Sequence, residues 1–131
     1  LGGSVAGIGI FYGTVNPAVG WITHEFHSVV FGFAFVGVLS VVPEDWPDGY
    51  GMTLVVGLLW ATFVWLVAAS FVAPVWLQLS GVPVDVPNFS TRLLASHLVW
   101  GATLAITTAL GYRTLQPRLS AFAEEDHFDR S

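Results

Sequence analysis

The sequence predicts an all-α protein, a four-helix transmembrane bundle whose helices run up-down-up-down. Of its 131 residues, 54% are hydrophobic and only 10% are charged, and the mean hydropathy is +0.70. A soluble domain carries about 25% charged residues. Because so few charges cannot cover the surface of a chain this size, we expect the lipid bilayer to cover it. The predicted location is therefore the cell membrane, as a multi-pass protein.

The charged residues are mostly acidic, and the cations are all arginine. Nine acidic residues against four basic ones give a formal net charge of −5. This balance argues against a nucleic-acid partner, because phosphates require a basic surface. The chain has no cysteine, which excludes disulfides and thiolate metal sites. An acidic, lysine-free composition resembles that of proteins from extreme halophiles, so a halophilic origin is expected.

Four apolar stretches are separated by turn-forming segments, and each stretch predicts one spanning helix. The predicted helices lie near residues 1–15, 19–42, 52–77 and 90–112. Proline marks the predicted ends, since the residue before proline avoids the α region and proline breaks helix bonding. Pro74 is expected to kink or end the third helix, and Pro117 to stop the fourth. Asn88 or Ser90 can cap the start of the fourth helix.

Two domains follow from this division: a transmembrane domain over residues 1–115 and an acidic cytoplasmic tail over residues 116–131. Arg113, Arg118 and Arg130 follow the fourth helix, whereas Arg92 alone lies at its other end. Arginine is enriched on the cytoplasmic side of membrane proteins. We therefore expect both termini to be cytoplasmic, and the last eight residues to be mobile.

Small residues and aromatic residues predict contact between helices. Gly3 and Gly7, and then Gly9 and Gly13, repeat at a spacing of four, which lets another helix approach closely. The third stretch contains no ionisable residue and holds three tryptophans. These surfaces predict packing against other membrane-protein subunits, or self-association.

Two histidines define the main candidate site. His27 and His97 each lie about seven residues into their predicted helices, and those helices run in the same direction. Both imidazoles are therefore expected to face the bundle interior at equal depth, where such a pair can ligate haem b axially. Gly32 and Gly101 follow the two histidines and would make room for the porphyrin edge.

Other roles for the polar residues of the second helix stay open. His24, Glu25 and His27 could hold a divalent metal, since imidazole and carboxylate are suitable ligands. The same three residues could form a proton relay. They could also be ordinary hydrogen-bonded residues at the membrane boundary, next to Trp21. His127 is expected to be solvated.

The segment His97-Leu98-Val99-Trp100-Gly101 resembles the His-Leu-x-aromatic-Gly element of small uncharacterised multi-span membrane proteins, some of them haloarchaeal. The resemblance covers five residues. It implies a helical membrane protein and carries no activity, cofactor or partner.

No nucleophile constellation, phosphate-binding loop or paired-carboxylate site is present, so no catalytic residue is predicted and the chain is not expected to be an enzyme on its own. The leading functional prediction is a small accessory or structural subunit of a membrane complex. The first alternative is a b-type haem subunit for electron transfer, in a respiratory-type redox complex. The second is a small oligomeric channel or transporter, which is disfavoured because the last two helices show little polar lining.

Overall fold

The protein is described here by a computed structural model, which covers residues 7–42 and 50–128 and gives side chains as far as residue 115. Every regular element in these ranges is helical, so the all-α prediction is confirmed. Three helices in the described ranges are long and apolar enough to cross a membrane, as expected for a membrane protein. We label them α1 (Pro17–Leu39), α2 (Tyr50–Leu79) and α3 (Thr91–Phe128), of which Thr91–Leu115 is the apolar span.

The segment before α1 ends earlier than predicted. Residues 7–9 are helical, Ile10–Tyr12 form one 3-10 turn, and Gly13 stops it with a φ of 80°. Its N–H caps the carbonyl of Ile10, and only glycine adopts such a φ without strain. The first six residues of the predicted 1–15 helix lie outside the described residues.

The glycines of this first segment were predicted to let another helix approach closely, and the described ones do not. A Cβ on Gly9 would lie 2.6 Å from the carbonyl oxygen of Thr14, within the same turn. A Cβ on Gly7 or Gly13 would meet nothing within 4 Å. Gly9 is therefore needed for the turn itself, Gly7 and Gly13 have open space beside them, and none of the three brings a second helix close. Gly3 lies outside the described residues.

Helix α1 begins two residues earlier than predicted because Asn16 caps it. The Asn16 side chain accepts hydrogen bonds from the N–H groups of Ala18 at 2.8 Å and Val19 at 3.4 Å. Pro17 follows in the first turn, where its missing N–H costs nothing. The helix ends at Leu39 and not at Val42. The acidic loop that follows, residues 43–49, lies outside the described residues.

Helix α2 is longer than predicted and passes through Pro74 without ending. It is α-helical over Tyr50–Val64, π-helical over Trp65–Val72 and α-helical again over Ala73–Leu79. Pro74 has no N–H, so the carbonyl of Ser70, four residues earlier, loses its usual donor. The backbone N–H of Asn88 donates to that carbonyl at 2.9 Å. This contact satisfies the freed carbonyl, which is why the proline does not terminate the helix.

Helices α2 and α3 form the core through small residues. A Cβ on Gly101 would lie 2.5 Å from the Cβ of Ala61 and 2.5 Å from the carbonyl oxygen of Gly57. A Cβ on Gly57 would lie 2.7 Å from the Cβ of Ala105. The residue numbers on the two helices run in opposite directions, so the helices are antiparallel. Close approach of this kind drives helix association in membranes, where lipid removes the hydrophobic driving force.

Helix α3 begins at the predicted cap and then continues beyond its predicted end. The hydroxyl of Ser90 accepts from the N–H of Leu93 at 3.3 Å, so Ser90 rather than Asn88 is the cap. The prediction that Pro117 stops the helix is wrong, because the backbone is helical as far as Phe128. Proline removes one backbone hydrogen bond, but its φ is close to the helical value, so a helix can continue through it. Much of the predicted mobile tail is therefore helical in its backbone.

Candidate functional site

His27 is hydrogen-bonded to the segment that precedes α1. The Tyr12 hydroxyl lies 2.8 Å from His27 Nε2, and the two ring centroids are 6.0 Å apart. The side chain of His27 is half-buried. The sequence did not single out Tyr12, because fifteen residues and a helix break separate it from its partner. The hydrogen bond occupies the ring nitrogen that most often ligates haem iron.

His97 makes a hydrogen bond within its own helix, and this bond fixes its tautomer. Its Nδ1 lies 2.7 Å from the carbonyl oxygen of Leu93. Because a carbonyl oxygen only accepts, Nδ1 carries the proton, and Nε2 of the neutral ring keeps its lone pair. Histidines that ligate metals commonly donate their second N–H in this way. The orientation of His97 therefore leaves one acceptor nitrogen directed away from its own backbone.

The contacts between α1 and α3 give the relative depth of the two histidines. A Cβ on Gly32 would lie 3.8 Å from Cδ1 of Leu104, so these two residues are level. Counting back five residues along both helices makes His27 level with Val99. His97 then lies about 3 Å nearer the helix N-termini than His27, at 1.5 Å per residue. No hydrogen bond or ring contact among the described residues joins the two imidazoles.

The two glycines proposed to flank a haem differ in their surroundings. Gly32 would tolerate a side chain, since only Leu104 lies near it. Gly101 faces Gly57 and Ala61 of α2, so its open side is already filled by a neighbouring helix. Together with the Tyr12–His27 bond, this packing leaves less room for a bis-histidine haem than the sequence suggested. Haem ligation by His27 and His97 stays a prediction.

The three residues considered as a metal site are not gathered around one point. His24 and Glu25 are exposed, and His24 contacts the ring of Trp21 edge-on at 6.2 Å. Consecutive residues on a helix point about 100° apart, which separates Glu25 from both histidines. Within the described part of the chain, no group of three His, Cys, Asp or Glu side chains is placed to hold a metal ion. Metal binding by His24, Glu25 and His27 stays a prediction.

The link between α2 and α3 folds back along α2 and ends at Ser90, seven residues or about 10 Å along the helix axis before His97. Trp65 Nε1 donates to the carbonyl of Ser90 at 3.1 Å, and Gln78 Nε2 donates to the carbonyl of Val84 at 2.8 Å. The ring of Phe89 lies 6.0 Å from those of Trp65 and Phe71. The hydroxyl of buried Ser70 donates to the carbonyl of Trp65, five residues earlier, at 3.0 Å within the π-helical segment. The π-helical segment is thus held by contacts with residues 80–90.

A polar face formed by α1 and α3 together was not predicted from the sequence. Four exposed hydroxyl residues follow one side of α3 at spacings of seven, four and seven: Ser96, Thr103, Thr107 and Thr114. Each donates to a backbone carbonyl of its own helix, three or four residues earlier. The spacing was visible in the sequence.

The same face carries charges of both signs. Glu25 of α1 and Arg92 of α3 are exposed, and neither forms a hydrogen bond or an ion pair with any residue that the structure describes. The other described cation within a span, Arg113, lies 4.2 Å from the ring centroid of Tyr50, at the opposite end of the bundle.

Comparison of the chain with protein-family models, with curated proteins and with solved structures found no match.

Proposed function

We propose that the protein is a small integral-membrane structural subunit that assembles with other membrane-embedded helices through the face formed by α1 and α3. The observation that carries this proposal is the position of Glu25. It lies eight residues into α1, about 12 Å from the start of the helix at 1.5 Å per residue, and it is exposed. Trp21, one turn nearer the start, suits the membrane–water interface.

An acidic residue inside a span is costly when it faces lipid. Insertion scales place the cost of a charged side chain at the helix centre near 2.5–3.5 kcal/mol, falling towards the interface. Such residues therefore almost always face protein or water. Because Glu25 has no partner among the described residues, a neighbouring chain that supplies one would stabilise it.

The packing of α1 supports the same conclusion. Of its 23 residues, only Gly20, Phe35 and Leu39 are buried, and Trp60 donates one hydrogen bond to the carbonyl of Phe31. The α2–α3 pair, in contrast, is closed by the contact between Gly57, Ala61 and Gly101. Helix α1 is thus the helix that this chain covers least.

The assembly is tested by native mass spectrometry of the protein extracted from its own membrane in mild detergent. We expect a complex heavier than the 14.1 kDa chain, and we expect Glu25→Ala to lower its yield. Leu59→Ala is the matched control, since Leu59 is 66% exposed on α2, away from this face. A chain that is monomeric at every detergent concentration would reject the proposal.

A further inference from the structure

Glu25 lies on the side of α1 that faces α3. It precedes Gly32 by seven residues, which is about two helical turns, so both residues share one side of the helix. Gly32 contacts Leu104 of α3. By the same register, Glu25 is level with His97. The Glu25 carboxylate therefore projects from the edge of α1 that borders α3.

Arg92 lies on the side of α3 that faces away from α2. It precedes Gly101 by nine residues, and at about 100° per residue this places the two residues on opposite sides of the helix. Gly101 packs directly on α2, so Arg92 points outward from the bundle. It is also about 8 Å nearer the helix N-terminus than the level of Glu25. The long arginine side chain and the glutamate can span that offset together.

The hydroxyl stripe of α3 lies between these two charged positions. Ser96, Thr103, Thr107 and Thr114 follow one another at spacings of seven, four and seven, which fit the a and d positions of a seam between two helices that coil around each other. Hydroxyl and small residues are enriched where membrane helices pack, because they permit close approach and bond across the contact. Because each hydroxyl already donates to its own backbone, the stripe presents small side chains on which a second helix can pack closely.

We infer that the partner seated on this face is a second copy of the same chain, related by a two-fold axis along the membrane normal. The face carries both an unpartnered acid and an unpartnered base, and a two-fold interface brings each against its complement in the other copy. In this dimer the α3 stripes of the two copies pack in parallel. Arg92 of each copy then pairs with Glu25 of the other. This inference rests on the proposed function and names its partner.

The positions around α3 fit this symmetry. Viewed down α3, Leu104, which marks the direction of α1, lies about 80° to one side of the stripe, and Arg92 lies about 40° to the other. A two-fold rotation about the stripe places the α1 helix of the second copy on the side towards which Arg92 points. Each arginine is thus directed to the helix that carries the opposing glutamate.

Charge reversal tests the pairing. We expect Glu25→Arg and Arg92→Glu, made singly, each to raise the dimer dissociation constant at least about tenfold, because two ion pairs per dimer are replaced by repulsion. The double variant E25R/R92E should restore dimerisation, since the pairs re-form with reversed charges. The dissociation constant is measured by fluorescence energy transfer between labelled copies diluted into phosphatidylcholine vesicles. Asp85→Arg, an equal change of charge in the link before α3, should leave it unchanged.

Crosslinking provides a measurement that does not depend on the charged variants. Because the chain has no cysteine, Thr107→Cys introduces one reactive group on the stripe, and Leu59→Cys introduces an exposed control on α2. We expect Thr107→Cys to crosslink copy to copy in membranes and Leu59→Cys not to. A double variant that fails to restore the dimer, or equal crosslinking at both positions, would overturn the two-fold pairing. If a complex with other chains persists while copies do not pair, the proposed function stands and this inference fails.

Discussion

The close contact between α2 and α3 predicts that adding a single methyl group at Gly101 destabilises the protein. Gly101→Ala would place a Cβ 2.5 Å from both the Cβ of Ala61 and the backbone oxygen of Gly57. Non-bonded carbon atoms are about 3.5–4.0 Å apart at their optimal separation, so the helices must move apart by about 1 Å. One of the two obstructing atoms is backbone, so a rotamer change cannot relieve the overlap.

We expect Gly101→Ala to lower the free energy of unfolding by about 2–3 kcal/mol, at the upper end of the range for overpacked cores, since separation also loosens the contact at Ala105. Gly111→Ala is the matched control on the same helix, because a Cβ there meets nothing within 4 Å. It should be neutral, or stabilising by up to about 1 kcal/mol through helix propensity. The measurement is thermal or denaturant unfolding in detergent, followed by circular dichroism. Equal stability of the two variants would show that α2 and α3 are not packed as described.

Three further predictions concern single contacts. Tyr12→Phe removes the hydrogen bond to His27 and should destabilise the protein by about 0.5–1.5 kcal/mol in the same unfolding assay; a loss near zero would mean that water replaces the hydroxyl. Ser90→Ala removes the cap of α3 and should cost about 0.5–2 kcal/mol, whereas Ser90→Asp, which retains a capping oxygen, should restore most of it. Single cysteines at positions 48 and 85 should react with impermeant reagents from opposite sides of the membrane, and labelling of both from one side contradicts the up-down arrangement of α1, α2 and α3.

The apolar helices and the Ser90 cap were predictable because they depend on local patterns. Length and hydropathy locate the spans, and a hydroxyl just before an apolar run marks a helix start. The same rule applies to Asn16, whose side chain caps α1 in the structure. Boundaries were missed by two or three residues where a cap or a turn decides them.

Contacts between distant segments could not be predicted from local patterns. Gly101 was assigned to a haem because it follows His97, yet Gly57 and Ala61, forty or more residues earlier, occupy the space beside it. Pro74 was expected to kink or end the third helix. Whether the helix continues depends on whether the freed carbonyl of Ser70 finds a donor, and that donor is the backbone N–H of Asn88. The Tyr12–His27 bond likewise depends on how the chain turns at Gly13. Each of these outcomes follows from tertiary packing.

The link that folds back along α2 also sets how the protein matches the thickness of a bilayer. Helix α2 has 30 residues, a length of about 45 Å, which exceeds the roughly 30 Å of the hydrocarbon layer. The stretch from Tyr50, beside Arg113, to Ser70, beside Asn88, is about 30 Å long. That stretch is the part that α3 accompanies, so the paired helices match the hydrocarbon and the last turns of α2 exceed it. We therefore expect the last turns of α2 and residues 80–90, which contact this helix, to lie at the depth of the lipid headgroups, so that the hydrophobic mismatch along the helix pair is small.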